Sequence, residues 1–340
     1  MRLLKLLLLS LLALVLLVAG IGLALPRQVH VERSTTIDAP AATVFALVDG
    51  FSMFNQWSPW YGLDPSAQYN FKGPARGVGA RMTWEGDAST VGSGSQEIIE
   101  SRPYEEVRSN LDLGSQGVAT ARFTLTPEGS RTRVTWSMDT DLGMNPVSRY
   151  FGLVLERVVG PDYERGLWGL KRLAERLPKA DFSDLKVEEI QVSPLTVAYV
   201  PASCGPDELE IARTIGASYA KVGKFMAYHK LKQVAAPITI NNKWGDSGYE
   251  FDAAIPLDHA PMREIPPDSP VKVKQTYSGK ALRVVHKGSY RNMDTTYEKL
   301  MAYAAAYGYE PAASPWDEYV SDPGDTPEPE LLTNILLPVK

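Results

Sequence analysis

Hydrophobic positions along this chain follow three different patterns, and the changes between them mark its organisation. From Leu6 to Leu25 every residue is uncharged and nearly all are Leu, Val, Ala, Gly or Ile. About 20 such residues at roughly 1.5 Å each can cross the hydrocarbon layer of a bilayer. The run has no polar face with which a soluble helix would meet water. Beyond Pro26-Arg27 the pattern becomes strand-like. Val29–Ile37 alternates, Asp38-Ala-Pro40 ends it, and Ala41–Val48 reads as a short helix. Phe51–Trp60 is dense in aromatics. Strand-like stretches follow at Arg81–Glu85, Ser93–Ser101, Val107–Leu113, Ala119–Thr126 and Thr132–Met138, separated by Gly, Pro and charged turns. Val147–Leu177 then changes to helical spacing through Phe151, Val154, Leu155, Val158, Leu167, Leu170, Leu173 and Leu177. Gly160-Pro161 is expected to kink or split that helix. A strand, two short helices, a run of antiparallel strands and a closing helix predict an α+β sheet wrapped on one helix.

Leu177-Pro-Lys-Ala-Asp-Phe-Ser-Asp184 reads as a junction, after which Val187–Val200 alternates as a strand. The second half repeats itself. Lys224-Phe-Met-Ala-Tyr228 returns as Lys299-Leu-Met-Ala-Tyr303, late in helix-like segments Leu209–His229 and Asp294–Gly308. Strands precede each helix (Val197–Val200, Leu282–Val285). Two more follow each: Ile238–Asn242 and Tyr249–Ile255, then Trp316–Val320 and Leu332–Leu337. Two strand-helix-strand-strand units predict a duplicated fold with a pseudo-twofold axis and a groove between its halves, a common place for a ligand. The expected layout is 1–26 anchor or signal, 27–178 first domain, 179–186 linker and 187–340 second domain.

Composition narrows the function. The net charge of −5 with no basic block argues against a nucleic-acid partner. The single cysteine, Cys204, allows no internal disulfide and no lipid attachment near the N-terminus. His30, His229, His259 and His286 show no metal-ligand spacing, so neither metal nor cofactor is expected. Arg2 and Lys5 precede the apolar run, while Arg27 and Arg33 follow it. The balance favours a single-pass bacterial inner-membrane anchor through residues 6–25 with an extracytoplasmic body. Gly22-Leu23-Ala24 offers the alternative of cleavage and release to the periplasm.

Two resemblances follow from particular residues. Ser34-Thr-Thr-Ile-Asp-Ala-Pro40, Val44-Phe45, Phe54-Asn-Gln-Trp-Ser-Pro-Trp60, Gly77-Val-Gly79, Trp84-Glu-Gly86 and Leu167-Trp-Gly-Leu-Lys171 resemble the START-like, polyketide cyclase/dehydrase superfamily over about residues 28–177. That resemblance implies a helix-grip fold with a hydrophobic cavity, which Trp57, Trp60, Trp84, Trp136 and Trp168 could line. From about Val187 the chain resembles the GyrI-like effector-binding domains of AraC- and MerR-type regulators. The matching motifs are Tyr249-Glu-Phe-Asp-Ala-Ala-Ile-Pro256, Val284-Val-His-Lys-Gly-Ser-Tyr290, Pro315-Trp-Asp-Glu-Tyr-Val-Ser-Asp-Pro323 and Leu332-Thr-Asn-Ile-Leu-Leu-Pro-Val339. Asn334 departs from the usual Thr-Glu-Ile of the last strand.

The second resemblance implies a glutamate at the base of an aromatic pocket and would place Glu318 there, with Trp244, Tyr249, Tyr290 and Trp316 around it. A carboxylate in such a site is costly to keep charged unless a cation pairs with it, and the rings would add cation–π attraction. The same carboxylate with a raised pKa could serve as an acid or base. The leading expectation is a membrane-tethered binder of hydrophobic or cationic amphiphilic small molecules, acting without DNA. The alternatives are a GyrI-like hydrolase of electrophilic compounds using Glu318, and a lipid carrier using the first domain.

Overall fold

A computed structural model describes residues 2–114, 117–245 and 247–340. The chain divides into two compact units, Met1–Ser183 with Ala305–Gly308, and Asp184–Ala304 with Tyr309–Lys340. Both are α+β and built on curled antiparallel sheets.

The first unit opens with helix α1, Arg2–Ala24, whose leucines project outward along its length. Its sheet contains β1 (Gln28–Ile37), β2 (Gln68–Lys72), β3 (Arg81–Glu85), β4 (Ser93–Arg102), β5 (Glu106–Asp112), β6 (Val118–Glu128) and β7 (Arg131–Asp141), in the order β1-β7-β6-β5-β4-β3-β2. Two short helices, α2 (Ala41–Val48) and α3 (Phe54–Trp57), separate β1 from β2. The long helix α4 (Pro146–Ala174) lies against β1 and closes the unit.

Alternation in the strands decides which side chains meet α4. Val134, Trp136 and Met138 of β7 and Ala121, Phe123 and Leu125 of β6 point inward and are buried. Arg133, Asp139 and Arg122 point outward. The inner face is filled by rings. Trp136 stacks on Tyr163 of α4 at 3.9 Å and on Phe123 at 4.8 Å, while Trp57 and Trp60 meet it edge-on. Gly166 and Gly169 permit this. A Cβ at Gly166 would sit 2.6 Å from the Trp136 ring, and one at Gly169 would sit 2.5 Å from the Trp57 carbonyl.

The expected break at Gly160-Pro161 does not occur, and α4 runs through it as one helix. Pro161 lies on the exposed side, where water can take the carbonyl that proline leaves without a donor. Gly160 is buried beneath the Arg33 guanidinium, which pairs with Glu156 and Glu164 one turn to either side.

The second unit contains β8 (Glu188–Val192), β9 (Thr196–Cys204), α5 (Glu208–His229), β10 (Ile238–Gly245), β11 (Gly248–Pro256), β12 (Lys272–Gln275), β13 (Gly279–Lys287), α6 (Met293–Ala306), β14 (Trp316–Tyr319) and β15 (Leu332–Pro338). The continuous strand expected over Val187–Val200 is two strands, divided at Ser193-Pro194-Leu195. Sheet order is β12-β9-β11-β10-β14-β15-β13-β8. That order reads as two equivalent halves about the central β10–β14 pair: β9-α5-β10-β11 and β13-α6-β14-β15. In the centre Thr239 faces Asp317 across the pair.

Candidate functional site

β14 carries two adjacent carboxylates, and a strand sends adjacent side chains to opposite faces. Asp317 and Tyr319 share the face that carries Thr239 of β10 and Ala253 of β11. Trp316 and Glu318 share the other with Ile238, Ile240 and Ala254. The carboxylate facing the tyrosines is therefore Asp317, one residue away from the Glu318 expected at the base of the aromatic site. Glu318 is half-buried on the opposite face. It accepts from Trp316 Nε1 at 3.2 Å and from Asn334 Nδ2 at 3.1 Å. Asn334, the departure noted in the last strand, is thus a donor to Glu318.

Asp317 is 4% exposed. Its Oδ1 accepts from the Tyr297 hydroxyl of α6 at 2.6 Å, and its Oδ2 accepts from Asn241 Nδ2 of β10 at 2.9 Å. Asn241 Oδ1 in turn accepts from the Tyr249 hydroxyl at 2.5 Å. A second chain of bonds lies alongside it. Thr239 donates to the Tyr319 hydroxyl at 2.9 Å, and Tyr219 of α5 donates to the Ile238 carbonyl at 2.8 Å. Three strands, β10, β11 and β14, and both helices therefore converge on one polar centre. Burial pushes Asp317 up to about 6, against the two hydrogen bonds that favour its charged form. Burial also raises the phenols of Tyr219, Tyr249, Tyr297 and Tyr319, so they remain protonated donors. Among the described residues, no Lys, Arg or His pairs with Asp317.

The rings around this carboxylate are themselves partly covered: Tyr219, Tyr290, Tyr297 and Tyr319 are each half-buried. Tyr290 meets Tyr319 edge-on at 5.6 Å, Tyr249 stacks on Phe251 at 4.4 Å, and Trp244, 53% exposed, stands edge-on to Tyr249 at 5.2 Å. Of the expected pocket residues, Tyr249, Tyr290 and Trp244 thus come together on the Asp317 face. Trp316 does not: it packs with Val197, Ile238, Ala254 and Leu336. The signal for the missed Tyr297 was in the repeat, because the 75-residue offset sets it opposite the buried Val222 of α5. The first half thus carries Val222 where the second carries Tyr297, and Thr239 stands across from Asp317 in the central strand pair. The other buried carboxylate of this unit, Asp252 of β11, differs in being paired with Lys274. His286, on the same sheet, is satisfied by Thr296 Oγ1 and the Ser289 carbonyl.

In the first unit Trp57 is a core residue whose Nε1 donates to the Leu47 carbonyl, and Trp84 is half-buried with its Nε1 on the Val91 carbonyl. Trp168 is exposed beneath the Arg172 guanidinium. An open trough of about 770 Å³ crosses the outer face of the sheet. Most of its charges are paired: His30 with Asp139, Arg81 with Glu97, and Asp141 with Arg27 just outside it, while Asp112 accepts from the Gly114 N–H.

Asp317 predicts a pH effect on stability. An ordinary carboxyl near 3.8 that rises to about 6 on folding binds more protons folded than unfolded between those values. Stability is fully held below pH 3.8, falls as pH rises through that window, and is level above about 6. Asp317→Asn removes this term. Relative to the variant, the parent second unit is expected to lose up to about 3 kcal/mol between pH 3.5 and pH 7. Denaturant titrations of both proteins at the two pH values measure this. The double difference cancels the hydrogen-bond changes that the amide introduces.

Two family models match the chain, one over each unit, and both describe small-molecule or lipid-handling domains. Residues 28–175 match the family described as polyketide cyclase/dehydrase and lipid transport, and residues 185–340 match the GyrI-like small molecule binding domain. The chain carries these two domains in that order. Among solved structures, the C-terminal domain of EcmrR is 17% identical over 46% of this chain and 98% of that one, with a TM-score of 0.41. A hydrolase from Listeria innocua is 19% identical over 46% and 92%, TM-score 0.34. The Aha1 dimer from Colwellia psychrerythraea is 14% identical over 43% and 96%, TM-score 0.31. No curated protein matches the chain.

Proposed function

We propose that this protein is a membrane-anchored binder of small lipophilic cations, with Asp317 as the charge partner and Tyr219, Tyr249, Tyr290, Tyr297, Tyr319 and Trp244 as the aromatic surround. One observation carries the reading: a buried carboxylate, without a cationic partner among the described residues, lies beneath half-buried tyrosine rings beside the exposed Trp244. Keeping that charge in an apolar setting costs stability. A cation that enters offsets the cost and gains attraction from the ring faces. A neutral ligand of the same shape gains only the apolar contact. The anchor reading is supported by α1, whose stretch from Leu6 to Ala24 is uncharged and which is long and apolar enough to span a bilayer, and the body is placed on the extracytoplasmic side. The protein would sense or sequester its ligand at the membrane surface.

The test is a calorimetric titration of a quaternary ammonium compound bearing an aromatic group, and of its neutral carbon isostere, into the parent, Asp317→Asn and Glu318→Gln. Cation-selective binding by the parent and by Glu318→Gln, lost in Asp317→Asn, supports the reading. Equal binding of both compounds to all three proteins removes it. A second reading rests on the same pair. Tyr297 donating to a carboxyl near 6 is suited to proton transfer at neutral pH. Turnover of an electrophilic compound that disappears in both Tyr297→Phe and Asp317→Asn would favour it.

A further inference from the structure

The contacts between α1 and α4 say how the first domain meets the membrane. The Tyr150 hydroxyl of α4 donates to the Val18 carbonyl at 2.8 Å. A Cβ on Gly22 would meet Pro146 at 2.7 Å and the Tyr150 ring at 2.9 Å, so the two helices touch at this glycine. Arg149, 7% exposed, donates to the carbonyls of Leu23 and Leu25 at the end of α1 and to that of Gly143. It thereby supplies donors that the last turn of a helix lacks. Pro146 stands beside Gly22 and Tyr150 reaches back to Val18, so α4 begins by running alongside α1 toward its apolar middle. Val18 lies about 10 Å before the end of the apolar run at the helical rise.

The same turns of α4 carry an apolar stripe. Val147, Phe151, Val154 and Val158 recur at helical spacing on one line, and all are exposed, Val147 at 73% and Phe151 at 54%. Leu155 and Gly152, on the neighbouring face, pack into the domain. Tyr150, on the other side of the stripe, meets α1. The stripe is therefore exposed, and it lies beside α1, which among the described residues is the one helix long and apolar enough to cross a bilayer. Tyr150 and the exposed Arg157 flank it with polar tips on apolar bodies, the side chains that suit a membrane interface.

We propose that the first three turns of α4 lie in the interfacial layer of the bilayer, with Val147, Phe151, Val154 and Val158 against lipid. This rests on the anchor reading of α1. It adds that the first domain is seated on the membrane by a second, non-spanning helix. The occupant is lipid because the stripe is continuous with the anchor surface through Tyr150 and Gly22.

The experiment uses the full chain in phosphatidylcholine–phosphatidylglycerol vesicles. With Cys204 replaced by Ser, an environment-sensitive dye is attached at Leu14→Cys in α1, at Phe151→Cys in α4, or at Arg131→Cys at the start of β7. Brominated lipid and aqueous iodide serve as the quenchers. Dyes at 14 and 151 are expected to fall to roughly half their emission with brominated lipid, while the dye at 131 responds to iodide alone. Lipid quenching at 14 with iodide quenching at 151 overturns the seating of α4 and leaves the anchor intact. Lipid quenching at neither position overturns both. A dye at 151 shielded from both quenchers means that protein covers the stripe, such as a second copy, and also overturns the proposal.

Discussion

Asp317→Asn is expected to weaken binding of a lipophilic cation by about 100-fold, roughly 3 kcal/mol, the scale of truncating one partner of a buried charge pair. The carboxylate is 4% exposed and is held by Tyr297 and Asn241, so no water shell replaces a lost cation contact. The amide keeps the shape and one acceptor oxygen but not the charge. Binding of a neutral isostere should therefore change little. Glu318→Gln is the matched control on the same strand. Its side chain lies on the opposite face, bound to Trp316 and Asn334, and the variant should bind the cation within about twofold of the parent, as surface-like polar changes do.

Trp136→Ala is expected to cost the first domain about 3–5 kcal/mol, the usual range for deleting a buried tryptophan. Trp136 is 3% exposed and touches Phe123, Tyr163, Trp57 and Trp60, so its removal opens a cavity under α4 that glycines 166 and 169 cannot fill. Its indole nitrogen has no hydrogen-bond partner among the described residues. Trp136→Phe therefore loses ring volume without losing a hydrogen bond, and should cost clearly less than Trp136→Ala. Calorimetric melting of the full chain reads both. A loss of 4 kcal/mol in a domain of about 150 residues lowers its transition by roughly 10 °C, and the transition of the GyrI-like unit should stay in place.

Most elements were legible because their periodicities are strong. The alternation of Thr132–Met138 and the helical spacing of Leu167, Leu170 and Leu173 each reflect one buried face. The repeat of Lys224–Tyr228 at Lys299–Tyr303 foretold the paired halves of the second sheet. What escaped was which face of β14 meets the helices. Trp316 and Asp317 are both buried, so the strand shows no polar side to orient it, and a one-residue change of phase exchanges Glu318 for Asp317. The phase is set by partners distant in sequence, Thr239 on one side and Ile335 on the other. Asn241 and Tyr297 were missed for a related reason. Each looks like an ordinary polar residue until the sheet and α6 bring it to Asp317. The edge strands β2 and β12 are short and rich in polar residues, which leaves little pattern to read.

The measurement that reaches the central claim most directly is the affinity of a permanently charged quaternary ammonium ligand as a function of pH. Such a ligand does not titrate, so any change belongs to the protein. If Asp317 near 6 is its partner, binding is level above about pH 7 and weakens by about tenfold per pH unit below 6, as the carboxyl takes up the proton that competes with the ligand. In Asp317→Asn the same titration is flat. An affinity that is independent of pH from 4.5 to 8 in the parent, or one that keeps its pH dependence in Asp317→Asn, would contradict the account.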